Sequence, residues 1–462
     1  MPAFKRSGFG SLQETETDAY STATDLFENE LVENSIVQRK NCIVRPNALS
    51  DTGPLHITIP PEGEYFIAPD SFKIHADIKI KKLSKGTNTW VDLESTDEKL
   101  VAPLNGLSKN IFRDIDTYIQ QKRITLVATA AYPVKAFLET ITSYGRDAEN
   151  GHLRCSYWIK DEPGKHDIPN SNTAFTKRHK FIKKSRSIKM VETLHTEITT
   201  LNRYLLPGLE LSFILSINEP GFYLQTNPAG ITGSAEMPTY GLHFDDLYIA
   251  FDRVLINPSV YSSMENKLSK QSKAIYLINR GTLRTKQIPA NEQNALWQSM
   301  YVGTLPETVT ICMLDSRAFN GGLEYNLFNF QHFNMDSISL RVNSQSYPGQ
   351  PLICDFKNKE AIRAYRHFFD NIGIGHSNSP CLITYEDFLE GATIIPFDLT
   401  PDKCALYHAH KKISGSIELD IKFEEALSTG ITILALCTYS DRFYIHGPIQ
   451  NREIILNPTL AD

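Results

Sequence analysis

The chain lacks most of the features that assign a protein to a class at a glance. It has no Cys-x-x-Cys pair, and its seven cysteines (Cys42, Cys155, Cys312, Cys354, Cys381, Cys404 and Cys437) are odd in number and scattered. That pattern fits neither a zinc knuckle nor a disulfide framework, and a reducing compartment suits it best. The longest apolar stretch, around "GITILALCTY", falls far short of the roughly 20 residues of a membrane-spanning helix, so no span is expected. The opening "MPAFKRSGFGSLQETETD" has no apolar core of a secretory leader, and synthesis inside the cell is expected. Positive charge is not in excess: 47 Lys and Arg against 53 Asp and Glu leave a net charge of −6. This argues against nucleic-acid binding by the chain as a whole. Regular alternation of buried strands with helices, the mark of a parallel α/β sheet, is also missing.

What is present is β-rich and doubled. The 462 residues, 41% hydrophobic and 22% charged, suffice for two domains with sizeable cores. Residues 1–50 are polar and read as a flexible N-terminal arm. Beyond them, "SFKIHADIKIKK" sets Phe72, Ile74, Ala76, Ile78 and Ile80 against Lys73, His75, Asp77, Lys79 and Lys81, a period of two with one wet and one buried face. "LELSFILSI", "SISLRV" and "SIELDIKF" repeat the pattern, which belongs to antiparallel sandwiches. Two stretches read as helices. One carries Val134, Phe137, Leu138, Ile141 and Tyr144 on one stripe behind Pro133. The other carries Ile362, Tyr365, Phe368, Phe369 and Ile372 before Gly373. Each helix follows one such strand ("DIDTYI", "SISLRV") and precedes another ("LELSFILSI", "SIELDIKF"), at offsets of roughly 210–230 residues. The expected fold is therefore all-β: two tandem β-sandwich domains of the jelly-roll kind, each with an inserted helix. The first covers 51–257 and the second 274–462, with a polar linker over 258–273.

Residues 319–333, "FNGGLEYNLFNFQHF", pack five rings (Phe319, Tyr325, Phe328, Phe330 and Phe333) beside Gly321 and Gly322. Three readings fit: a loop folded over the end of a core, a contact between rolls or subunits, and a stacking platform for a ligand. "HAHKK" offers His408 and His410, which on a strand would share a face. The next acid is as far as Glu418, and Lys411 and Lys412 would repel a cation, so no metal is expected. "FTKRHKFIKKSRSIK" holds seven Lys or Arg residues and reads as a solvated strand and loop, with nuclear entry or a phosphate contact as the sharper alternatives. The carboxylate pairs Asp245/Asp246 and Asp114/Asp116 have no His or Lys arranged for acid–base work, and "DNIGIGHSNS" lacks the setting of a phosphate loop. No catalytic residue, cofactor site or enzyme activity is expected.

Several stretches taken together resemble the double jelly-roll major capsid proteins of small and medium DNA viruses, in particular those of polinton-like and adintovirus-like elements, including endogenous copies in animal genomes. They are "TDLFENELVENSIV", "VAPLNGLSKNIFRDIDTYI", "AYPVKAFLETITSYG", "LDSRAFNGGLEYNLFNF" and "IPFDLTPD". The "AFNGGLEYNLFNF" segment is the most specific, although Leu327 stands where the family pattern has proline. The resemblance implies a homotrimer whose six rolls give a pseudo-hexagonal outline, trimer–trimer contacts tiling an icosahedral shell, and penton and minor capsid proteins as further partners. It implies a place in the virion capsid after synthesis in the host cytoplasm, with the compartment of assembly left open between cytoplasm and nucleus. It also favours a contact between rolls or subunits for the aromatic run. The alternatives are a penton or minor capsid protein, and a tandem jelly-roll carbohydrate-binding or cupin-like protein.

Overall fold

A computed structural model describes residues 33–456 apart from 85, 127–131, 231–236, 271, 378–380 and 406. The first roll is built from β1 (Ile36–Val44), β2 (Leu55–Ile59), β3 (Phe66–Leu83), β4 (Phe112–Ile119), β5 (Lys122–Arg123), β6 (Ile188–Thr193), β7 (Leu211–Ile217) and β8 (Tyr240–Ile256). The second is built from β9 (Ala274–Ile288), β10 (Asn294–Thr304), β11 (Thr308–Asp315), β12 (Met335–Val342), β13 (Gln345–Ile353), β14 (Ile394–Asp398), β15 (Ser414–Phe423) and β16 (Ile431–His446). In the first roll the sheet β1-β8-β3-β6 faces the sheet β2-β7-β4-β5; in the second, β9-β16-β11-β14 faces β10-β15-β12-β13. Adding eight to every label of the first roll gives the second. Eight antiparallel strands in this order make a jelly roll, a short further strand (Trp90–Asp92; Glu453–Leu456) joins the first-named sheet of each, and the chain is a double jelly roll.

Among the described residues four helices reach ten residues or more: α1 (Tyr132–Ser143), α2 (Thr173–Ile182), α3 (Pro258–Ser269) and α4 (Ile362–Asn371). The helices α1 and α4 are inserted at the same point of their rolls, between the fifth and sixth strands. The repeated order read from the sequence is thus a repeat of topology, with β4 matching β12 and β7 matching β15.

Alternation becomes burial where one face meets the core. In β15, Ile417, Leu419, Ile421 and Phe423 are buried while Ser414 and Lys422 are exposed. The first core closes around Phe72, stacked on Phe251 at 5.4 Å and edge-on to Phe213 at 5.6 Å. The run "ITILALC" in β16 does not alternate, because its outer face is covered as well: Leu434 and Leu436 share a cluster with Val134, Leu138 and Ile141 of α1. The helix inserted in the first roll is thereby a wall of the second core. The exchange is mutual, since Tyr276, Ile278, Phe443 and Ile445 of the second roll belong to the first core.

Three expectations change. The arm expected over residues 1–50 contains β1, paired along β8 from Ile36↔Ile256 to Val44↔Ile249. As an edge strand with most of its residues exposed, it carries no apolar alternation to betray it; residues 1–32 lie outside the described set. The linker 258–273 is helical over α3, which is capped by Asn257 and buries Tyr261 and Leu268. The basic stretch 175–189, read as strand and loop, is mostly the helix α2: six of its seven cations are exposed, but Arg178 is buried.

Candidate functional site

The aromatic run lies on the seam between the rolls, in the loop after β11. A four-residue helix, Ser316–Phe319, is capped by Asp315, whose side chain accepts from the Arg317 N–H. The chain then turns through Gly321, at φ +80°, a conformation glycine adopts without strain. Here the two rolls touch backbone to backbone. A methyl group on Gly221, in the first roll's loop between β7 and β8, would sit 1.9 Å from the Gly321 carbonyl oxygen. The glycine pair in the sequence marks this close approach.

Five residues on, the rings divide. Phe328 and Phe330 are fully buried; Phe319, Tyr325 and Phe333 are half-buried against the second core, with the Arg317 guanidinium 4.3 Å from the Tyr325 ring. Phe328 stacks on Phe137 of α1, with ring centroids 4.0 Å apart and planes 7° from parallel. Phe330 meets the same ring edge-on at 6.0 Å, and Trp158 lies on it at 5.3 Å. Such ring pairs add about 0.5–1.5 kcal/mol each to the burial of their area.

Between these rings the two asparagines of "YNLFN" reach a buried polar hub. Arg178 donates to the carbonyl oxygens of Pro103 (2.7 Å) and Ile159 (2.8 Å) and to Asp161 Oδ1 (2.7 Å). Asp161 also accepts from Asn172 (2.6 Å) and, across the seam, from Asn326 Nδ2 (3.0 Å). Asp167 accepts from the Asn326 backbone N–H and from Asn329 Nδ2, both at 2.6 Å. Asn326 Oδ1 turns back to accept from the Phe328 N–H (2.9 Å), which fixes the loop that presents the ring. Burial opposes the charge on Asp161, but Arg178 and the hydrogen bonds outweigh it and hold the carboxyl below its usual range. Burial prevails at Asp167, whose carboxyl is lifted above that range.

More polar ties cross the seam. Lys160 reaches the Leu382 carbonyl oxygen (2.6 Å) and pairs with Asp387. Arg280 donates to the Ile124 carbonyl oxygen (2.9 Å) and pairs with the buried Asp441 at 3.1 Å. Arg452 donates to the Pro207 carbonyl oxygen (2.6 Å) and pairs with Glu265. Sequence reasoning named the rings, placed Phe137 on a helical stripe and Arg178 in a basic stretch without linking either to them, and did not single out Asp161, Asp167 or Gly221. Their partners lie far along the chain, and no local spacing connects them. His408 and His410 stand in the loop before β15 rather than on a strand, and the acidic pairs on the strands are engaged by cations such as Lys79 on Asp245 (3.0 Å) and Arg123 on Asp116 (2.6 Å).

The double roll has solved counterparts in overall fold. A chain of the Sputnik virophage, determined by cryo-EM, is similar with a TM-score of 0.62 and 11% identity over 96% of this chain and 93% of its own length. The Faustovirus major capsid protein gives 0.55 and 9% over 90% and 92%. The mavirus major capsid protein gives 0.52 and 10% over 97% of both chains. The fold is that of double jelly-roll major capsid proteins. An uncharacterized protein of Caenorhabditis elegans is 20% identical over 333 residues, 71% of this chain and 76% of its own. No family model matches the chain.

Three outcomes follow from the seam. Phe328→Ala empties the space under Phe137 and should lower stability by about 3–5 kcal/mol, read from the denaturant midpoint; a change below about 1 kcal/mol would mean that the stack does not hold the rolls. Gly221→Ala should lower the melting temperature far more than an alanine at Gly349, around which the structure leaves open space. Asp161→Asn leaves Arg178 without its counter-charge and should lose about 3–5 kcal/mol at pH 7. Because the Asp161 carboxyl is held low, its stabilisation is present above the ordinary range near pH 4 and is lost as pH falls through the folded-state value. Melting temperatures of the wild type and Asp161→Asn should therefore converge on acidification, and parallel curves would exclude this role.

Proposed function

We propose that this protein is a structural major capsid protein, a homotrimeric capsomer of pseudo-hexagonal outline that tiles an icosahedral shell and has no catalytic role. The observation that carries the reading is the pair of rolls with one topology, fused through shared cores in a single chain. Three such chains present six rolls. Likeness to the mavirus and Faustovirus major capsid proteins across at least nine-tenths of each chain supports the same reading. A penton or minor protein would need only one roll. A cupin-like enzyme would hold its histidine pair on a strand, and here the pair is in a loop.

In this reading the seam residues Phe328 and Phe330 act within the subunit, while contacts between copies draw on apolar groups left at the surface. Val37 and Ile43 on the edge strand β1, Val302 on β10, Ile353 on β13 and Ile362 on α4 are all more than half exposed. Trimer contacts of about 2,000–5,000 Å² and smaller, wetter trimer–trimer contacts would let capsomers form first and the shell close reversibly. The partners are then other copies of this chain, with penton and minor proteins, in a virion capsid assembled from chains made in the host cytoplasm. Among the described residues no helix is long and apolar enough to cross a membrane.

Light scattering behind size exclusion, with negative-stain imaging of the same fractions, tests the proposal. A species near three times 52.2 kDa with a hexagonal outline, or closed shells, is the expected result. A stable monomer at micromolar concentration would overturn the capsomer and leave the fold as it is.

A further inference from the structure

The loop between β14 and β15 folds back on itself so that both histidines of "HAHKK" meet an acid that precedes them. His408 Nε2 lies 3.0 Å from Asp402 Oδ2, and His410 Nε2 lies 2.9 Å from Asp402 Oδ1. The two imidazole centroids are 4.5 Å apart, and one donor atom from each of the three residues falls within 4.8 Å of the others. Donors bound tetrahedrally at about 2.0–2.2 Å from zinc are spaced by about 3.3–3.6 Å, so the carboxylate–imidazole separations of 2.9 and 3.0 Å open slightly, and donors as far as 4.8 Å apart draw in, to admit an ion.

A second feature lies behind the first. The other ring nitrogen of His410, Nδ1, is buried and has no aligned hydrogen bond, although Glu307 Oε1 is 3.3 Å away. Glu307 is itself mostly buried and accepts from the Ser440 hydroxyl on Oε2 (2.8 Å). A carboxylate on one ring nitrogen with the other aimed at a donor cluster is the arrangement that orients metal-bound histidines and raises their basicity. An imidazole bound through Nε2 must keep its proton on Nδ1, facing Glu307. Of the two lysines that follow in the chain, Lys412 turns away to Asp441 (2.7 Å) and Lys411 is exposed to solvent, which screens its charge.

We propose that Asp402, His408 and His410 form a divalent transition-metal site that takes zinc(II), with Glu307 orienting His410 and water completing the shell. Two nitrogens and one carboxylate oxygen suit zinc better than the hard cations calcium and magnesium, which prefer oxygen alone. Bound there, the ion ties Asp402 to His408 and His410. The site is independent of the proposed capsid role.

The test uses the full chain without a histidine tag, stripped with chelator, dialysed against zinc chloride and assayed for bound metal. The expected result is about one zinc per chain for the wild type, with stoichiometric binding lost in His408→Ala and in Asp402→Ala. His408 and Asp402 are well exposed, so the metal-free variants should keep the wild-type melting temperature. Glu307→Gln should weaken zinc binding by about 10–100-fold, a loss that an accidental surface chelate would not show. Absence of bound zinc in the wild type, equal binding in the His408→Ala/His410→Ala double variant, or an unchanged affinity in Glu307→Gln would each overturn the proposal.

Discussion

The structure depends most on one buried ion pair and what it recruits. Arg178 and Asp161 are almost wholly removed from water, with side chains 1% and 4% exposed. A buried pair of this kind yields little net stability compared with well-packed apolar groups, yet removing one partner is severe. Its value is in what it specifies. Once Arg178 is bound to two carbonyl oxygens and one carboxylate oxygen, the other oxygen of Asp161 is satisfied from across the seam, by Asn326. The asparagine sets the loop, and the loop sets the ring that stacks on Phe137. Register between the rolls is thus written in hydrogen bonds and made stable by aromatic area.

The exchange between cores follows from the same economy of surface. A jelly roll whose outer sheet face stayed bare would expose the side chains of β16, and a lone amphipathic helix would have nothing to bury. Placing α1 of the first roll on that face resolves both, and the ends of β9 and β16 repay it by entering the first core. Neither core is complete without the other roll's residues.

Legibility in the sequence tracked how local each interaction is. β3, β15 and the two inserted helices were readable because one face meets the core and the other meets water, which writes a period into consecutive residues. β16 broke the pattern because it is covered on both faces, and β1 because it is bare on both. The basic stretch misled for a related reason: charge counts describe a solvated surface, and Arg178 had left it for a partner 17 residues upstream in the chain. At the seam the rings of 319–333 stood out by composition, but Asp167 and Gly221 gave no signal. An aspartate in a polar loop and a glycine after a proline are ordinary until the opposing backbone is in place.

The division between seam and surface also bears on how copies of this chain could meet. Large aromatic side chains are the usual anchors of a strong interface, and in this chain Phe137, Trp158, Phe328 and Phe330 are spent inside the subunit. What remains outside among the described residues is dispersed and mostly aliphatic, from Val37 on β1 to Val302 on β10 and Ile362 on α4, with Trp90 and Tyr407 as isolated exposed rings. Dispersed aliphatic contacts gain strength by adding area rather than by filling deep pockets, and they lose little when two faces shift by a fraction of a side chain. A rigid unit with forgiving edges can occupy several slightly different neighbourhoods without being remade, which is what the proposed shell, tiled from one kind of subunit, would require of its building block.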